Sequence, residues 1–326
     1  MSTTTSPLPR GIWAPTQVFF DPSTSDLDLP TTSLHAVRLA RAGVVGIVTN
    51  GSNGEAAHLT PSERAAVTRA TRDALDAAGF AHVPVMAGAS EQSVRGTLAL
   101  IKDAKEAGAA AVLVLCASFF KWAMDKEGVQ AYFREVARGS VLPVVVYNYP
   151  GAVAGLDLDS DVLVGLAKEE RGIVGTKFTC GNVGKLARVA EAVGEMGRGG
   201  EYRCFSGVAD AITPALVVGG DGGIVGAANV FPRACVNVYR LAEQGRVEEA
   251  RAAQQQLARA DWALTKRAIP GFKSILQKYH GYGGLPRLPV LPLSAEEEER
   301  LFDEIREMME VEEKLEDFGR PVEGSV

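Results

Sequence analysis

Eight short runs rich in Val, Ile, Ala and Gly recur along the first two thirds of the chain, and their spacing limits the open folds more than any other feature. They begin near Gly11 (GIWAPT), Val44 (VVGIVT), Val83 (VPVMAG), Ala111 (AVLVLC), Pro143 (PVVVYN), Gly172 (GIVGTK), Tyr202 (YRCFSG) and Gly222 (GGIVGA). The interval between starts averages about 30 residues, the size of a βα unit. Most runs are apolar throughout rather than alternating, as parallel strands covered on both faces are. Eight such units in succession predict an α/β protein, a (β/α)8 TIM barrel, over a doubly wound sheet.

Between the runs lie stretches with helix start signals. Thr60, Pro61 and Glu63 combine a capping hydroxyl, Pro at the first helical position and Glu at the third. Ser90 and Glu91 are expected to open the next helix, and Asn182 a later one. After Gly226 the strand signals stop. Arg233 to Arg259 and Asp261 to Gln277 read as helical, the second interrupted at Pro270-Gly271. Ser294 and Glu297 have capping-box spacing ahead of an apolar stripe of Leu301, Ile305, Met308, Met309 and Leu315. The expected organisation is a disordered leader over 1–10, a catalytic barrel over 11–231 and a C-terminal helical appendage over 232–326. Packing on the barrel or on another subunit is the simplest role for the appendage.

Composition narrows the partners. The 326 residues include 34 Lys+Arg and 40 Asp+Glu, a formal charge of −6. That acidity is local: residues 295–318 hold 12 acidic and 3 basic side chains, which leaves the remainder at +3. No clustered Lys/Arg face of the kind phosphate backbones need is present, which argues against nucleic acid as the main partner. A slightly basic barrel suits a small anionic substrate. Cys116, Cys180, Cys204 and Cys235 lie far apart, with no ligand-like spacing to the four histidines. Neither a disulfide framework nor a structural metal site is expected, and a reducing, cytoplasmic setting is the default. The longest uncharged run, Gly139 to Leu156, is too short and too broken by Pro143 and Pro150 to span a membrane. The N-terminal MSTTTSPLPRG lacks the apolar core of a signal peptide.

In a barrel of this kind the chemistry sits at the C-terminal ends of the strands, and three places there carry polar groups. Lys177 alone among the lysines closes an apolar strand run, GIVGTK. A lysine in a barrel mouth is partly desolvated, which favours the neutral amine, a nucleophile for carbonyl carbon; a strand-end lysine can equally snorkel to solvent. Tyr147 and Asn148 end the preceding run, where a phenol could shuttle protons or simply anchor the Tyr147–Pro150 turn. The third is the NGSNGE loop from Asn50 to Glu55, whose glycines let backbone N–H groups turn toward a carboxylate. Ser52 and Asn53 could add side-chain donors there, or could cap the next helix. Neither this loop nor GGDGGIVG contains GxGxxG or GxxxxGK[ST], so no dinucleotide or P-loop reading has a motif behind it. Metal-dependent chemistry needs ligands at strand ends, and His35, His58, His82 and His280 fall mostly on or beside helices.

Taken together these places resemble the dihydrodipicolinate synthase/N-acetylneuraminate lyase family of class I pyruvate-dependent aldolases. The resemblance covers about Gly11 to Phe231 and rests on G-S-N-G-E at Gly51 to Glu55, Y-N-x-P at Tyr147 to Pro150, G-x-K at Gly175 to Lys177, and G-G-I-V-G-A-A-N-V at Gly222 to Val230. It implies that Lys177 forms a Schiff base with the keto carbon of a 2-oxo acid and that Tyr147 is the proton shuttle. Ser52 and Asn53 would bind the carboxylate, Thr179 would add a hydroxyl and Ile224 would line the site, with no metal or organic cofactor. Three departures from the synthase pattern stand out: Ser52-Asn53 replaces Thr-Thr, Phe119-Phe120 replaces a Tyr pair, and Pro150 to Gly155 holds no Arg. The GSNGE loop is more similar to the 4-hydroxy-2-oxoglutarate aldolase branch and the 2-keto-3-deoxy sugar-acid aldolases such as L-threo-3-deoxy-hexulosonate aldolase. A lyase cleaving such an acid is therefore expected. Condensation of pyruvate with aspartate semialdehyde and a non-catalytic 2-oxo acid binding barrel are the alternatives. The family commonly forms tetramers, so a homotetramer or dimer is expected.

Overall fold

The computed structural model describes residues 8–322. Eight parallel strands close on themselves in chain order: β1 (Gly11–Pro15), β2 (Gly46–Thr49), β3 (Val85–Gly88), β4 (Ala111–Leu115), β5 (Val144–Asn148), β6 (Ile173–Phe178), β7 (Arg203–Ser206) and β8 (Gly222–Ile224). Closure is made by β1 and β8, with Gly11, Ile12 and Trp13 facing Gly222, Gly223 and Ile224. The expected (β/α)8 barrel is the observed one.

Eight helices cover the strands: α1 (Leu29–Ala42), α2 (Pro61–Ala77), α3 (Val94–Glu106), α4 (Lys126–Gly139), α5 (Ser160–Glu169), α6 (Val183–Glu195), α7 (Ile212–Val217) and α8 (Pro232–Glu243). Thr60 makes the expected capping box with Glu63, and Asn182 caps α6 through the Lys185 N–H. The start of α3 differs from expectation. Ser93, not Ser90, is the cap, because the Ser90 hydroxyl is taken by the Leu115 N–H of β4. Since α8 is the eighth barrel helix, the barrel runs past residue 231.

Two apolar clusters fill the space between strands and helices, and a third fills the barrel itself, with Trp13, Val48, Met86, Leu113, Val145, Phe205 and Ile224 all buried. Of the leader expected over 1–10, residues 1–7 lie outside the described residues. Leu8 is buried in the barrel floor, its carbonyl accepts from Arg203 Nε, and Arg10 pairs with Asp221, so 8–10 are ordered by burial and charge. The four cysteines are free, and no helix among the described residues is long and apolar enough to cross a membrane.

Two further helices follow, α9 (Val247–His280) and α10 (Ala295–Lys314). The break in α9 falls at Ala268 (φ 48°, ψ −141°), two residues before Pro270, where the proline ring and its missing N–H forbid a continuous helix. Ser294 and Glu297 form the expected capping box on α10, and its apolar stripe packs into the main core. Glu312 is buried with that stripe and accepts the Arg233 and Ala234 N–H groups at the start of α8, with Arg233 3.6 Å away. Burial pushes its carboxyl up to about 7, against the opposing pull of those N–H groups and of Arg233 and Arg38. The folded state thus holds this proton more tightly than the unfolded chain, and the group's contribution is lost as pH rises from about 4.5 to about 7. Glu312→Gln removes the titration: the melting temperature of the wild type, measured against this variant, should fall between pH 5 and pH 8.

Candidate active site

The strand register brings Lys177 and Tyr147 side by side. Val144 pairs with Ile173, but Val145 pairs with Gly175, so β6 carries one extra residue at Val174. Without this bulge Tyr147 would face Thr176 and Lys177 would sit opposite Asn148; with it, Tyr147 faces Lys177 and both point into the barrel. Gly175 is needed at the bulge, because a Cβ there would lie 2.7 Å from the Arg203 carbonyl oxygen of β7. Lys177 is buried, with Nζ 4.1 Å from the centroid of the Tyr147 ring. The Tyr147 hydroxyl is 3.0 Å from Ser52 Oγ, and its ring stacks on Tyr149 with centroids 5.7 Å apart.

Ser52 and Asn53 come from the loop after β2. That loop turns through positive φ at Asn50 (54°) and Glu55 (50°). Asn50 Nδ2 donates to the Arg64 carbonyl and to Thr68 Oγ1, fixing the loop to α2. Glu55, fully buried, is 2.7 Å from Lys273 Nζ of α9 and accepts the Arg287 N–H at 2.9 Å. The loop is therefore held from both ends. Asn53 packs closely on the loop after β8: a Cβ on Gly226 would stand 2.6 Å from Asn53 Nδ2 and 3.1 Å from the Phe272 ring.

Lys177, Tyr147, Ser52, Asn53 and Thr179 all line one cavity of about 240 Å³. Thr179 Oγ1 is buried there and has no hydrogen-bond partner among the described residues. Ile224 does not line it: its side chain is fully buried in the layer beneath, against the barrel core. Phe119, Phe120 and Trp122 also stand outside the cavity, on the surface beyond β4. A second cavity of about 360 Å³ shares Ser52 and Tyr147 but lies on the far side of them from Lys177.

The sequence reading missed the wall opposite. Asp261, Thr265, Ala268 and Phe272 of α9 line the Lys177 cavity, so the C-terminal region builds the site as well as packing on the barrel. The only sequence signal near this wall is Pro270-Gly271, which marks the helix break at Ala268. Burial and the nearby Asp210 push the Asp261 carboxyl up to about 6.

A buried lysine over a tyrosine ring, at the C-terminal end of a closed parallel barrel, defines a class I pyruvate-dependent aldolase, a carbon–carbon lyase. The chain belongs to the dihydrodipicolinate synthetase family, whose model matches residues 14–308. It is 52% identical over 311 residues to the L-threo-3-deoxy-hexylosonate aldolase of Hypocrea jecorina, covering 94% of this chain and 98% of that protein. It is 44% identical over 310 residues to the probable mitochondrial 4-hydroxy-2-oxoglutarate aldolase of Emericella nidulans, covering 95% and 98%. Among solved structures it superposes with a TM-score of 0.84 on Escherichia coli YagE, a family member crystallised with pyruvate, at 27% identity and 92% and 98% coverage.

Proposed function

We propose that the protein cleaves a 2-keto-3-deoxy sugar acid, such as L-threo-3-deoxy-hexulosonate, to pyruvate and an aldehyde through an imine at Lys177. The observation that carries the reading is the β6 bulge, which sets the Lys177 amine against Tyr147 in a buried mouth. The N–H groups and side chains of Ser52 and Asn53 hold the substrate carboxylate, and the unpartnered Thr179 hydroxyl reaches the substrate beside the imine.

The chemistry follows from these groups. The neutral amine of Lys177 adds to C2, and the Tyr147–Ser52 pair supplies the proton with which the C2 hydroxyl leaves as water, so that the protonated imine forms and the pair is left one proton short. The proton of the C4 hydroxyl then moves onto the Tyr147–Ser52 pair as the C3–C4 bond breaks, the aldehyde departs, and the bonding electrons form the enamine. Return of the proton to C3 and addition of water to C2 release pyruvate and free lysine. Burial of the site keeps the enamine from bulk water. A Tyr147→Phe protein should lose roughly a hundred- to ten-thousandfold in cleavage rate. It should still yield a borohydride-stabilised pyruvate adduct, seen by mass spectrometry. Wild-type turnover by that variant would remove Tyr147 from the relay.

The same reading makes the protein a cytoplasmic homotetramer or dimer. Support comes from Phe119, Phe120 and Trp122, exposed at 74%, 54% and 83% and packed edge to face, an apolar surface that a second copy would cover. Light scattering on the purified protein tests it, and a monodisperse monomer would count against it.

A further inference from the structure

The two sides of the Lys177 cavity differ in charge. Lys177 is the only cationic side chain among the described residues that line it, and Asp261 is the only anionic one. Asp261 is 6% exposed, and its two oxygens differ in use. Oδ2 accepts the N–H groups of Ala209 (3.0 Å) and Asp210 (3.1 Å), which holds the turn after β7. No described residue donates to Oδ1. Thr265, one helical turn further along the same face of α9, is exposed, lines the cavity and has no side-chain partner among the described residues. The carboxylate of Asp210 adds a second negative charge close to Asp261.

Once Lys177 has condensed with the keto carbon and the C1 carboxylate is held at Ser52 and Asn53, no cation lining the cavity is left for a second carboxylate. A distal carboxylate carried to the α9 side would meet Asp261 instead, with the Asp210 charge behind it, and like charges in a partly buried site repel strongly. A chain of hydroxyl groups has the opposite fit. Each can donate to a carboxylate oxygen, and a hydroxyl–carboxylate hydrogen bond is charge-assisted. The raised Asp261 carboxyl, near 6, reports the same bias, since that environment resists further negative charge.

We infer that Asp261 and Thr265 are specificity-determining residues that bind the hydroxyl groups on the distal carbons of a polyhydroxylated 2-oxo acid and turn away a distal carboxylate. This rests on the aldolase reading and sharpens it: the substrate is a sugar acid rather than a hydroxylated dicarboxylate.

The test is steady-state cleavage by the full-length protein of three substrates that share the reacting carbons. These are L-threo-3-deoxy-hexulosonate, 4-hydroxy-2-oxoglutarate, and 4-hydroxy-2-oxopentanoate, which has no distal polar group. Asn at 261 keeps an oxygen for the Ala209 and Asp210 N–H groups, so Asp261→Asn preserves the turn while removing the charge. Its kcat/KM ratio of sugar acid to 4-hydroxy-2-oxopentanoate should fall about ten- to a hundredfold, the size of one hydrogen bond to a charged group. Its ratio of dicarboxylate to sugar acid should rise by at least about tenfold. Thr265→Val, which removes no bond within the protein, should lower the sugar-acid ratio about three- to tenfold. Equal losses on all three substrates, or an unchanged sugar-acid ratio in Thr265→Val, would overturn the assignment while leaving the aldolase intact. Failure of the wild type to form a borohydride-stabilised pyruvate adduct would instead withdraw the aldolase reading itself, and the assignment with it.

Discussion

Replacing Lys177 with Ala should lower kcat by at least about a thousandfold and abolish the borohydride-stabilised pyruvate adduct, because no second amine lines the cavity among the described residues. Lys177→Arg separates the two things a lysine supplies. The guanidinium keeps the positive charge beside the substrate carboxylate but never presents a neutral amine. If the role of Lys177 were only to attract an anion, Arg would retain most of the activity. A covalent role predicts that Arg is as inactive as Ala while pyruvate still binds, measured calorimetrically. Turnover by Lys177→Ala at the wild-type rate would refute the imine mechanism. Thermal melting should change little in either variant, since the amine makes no ion pair among the described residues.

The barrel was legible because parallel strands covered on both faces are nearly uniform in hydrophobicity, and their recurrence needs no tertiary information. Lys177 was legible for a related reason: a charge that ends an apolar run breaks a pattern. The register that makes the lysine useful was not. Val174 and Gly175 are both acceptable in a buried strand, and nothing in their chemistry announces the extra residue that turns Lys177 toward Tyr147. The sequence alone therefore leaves Lys177 opposite Asn148 or Tyr147 with equal ease. The α9 wall was hidden differently. Asp261 and Thr265 sit in an amphipathic stretch whose period fits packing on a barrel, and only the break at Ala268 aims that face at the cavity. Ile224 was placed at the site by the family resemblance alone; its side chain fills the layer below the cavity. Leu8 was missed since three residues carry no periodicity, and its order comes from contacts with β7 and the barrel floor.

The same hidden wall anchors the carboxylate loop. Lys273 and Glu55 are 1% and 0% exposed at the side chain, 2.7 Å apart, joining α9 to the loop that carries Ser52 and Asn53. Burial pulls the Lys273 ammonium below its ordinary range, with Glu55 opposing that shift. The Leu285 carbonyl accepts from the same amine at 2.8 Å and Phe20 lies under it at 4.5 Å, leaving little room for water. Lys273→Met should then cost about 3–5 kcal/mol, since it takes the cation from Oε1 of the buried Glu55 and leaves only the Arg287 N–H and His58 Nδ1, both on Oε2. The melting temperature should fall by on the order of 10 °C. Adding Glu55→Gln in the same chain should restore much of that loss, because the neutral amide removes the stranded charge; a coupling of about 2 kcal/mol between the two sites is expected from such a cycle. Stability and function separate at this point. The double variant regains folding but loses the ion pair that fixes the loop. Its KM for the 2-oxo acid should therefore stay raised while kcat at saturation, set by Lys177 and Tyr147, recovers further. A double variant destabilised by the sum of the Lys273→Met and Glu55→Gln losses would mean that the two charges do not depend on each other, and the loop would owe its position to Asn50 and the backbone alone.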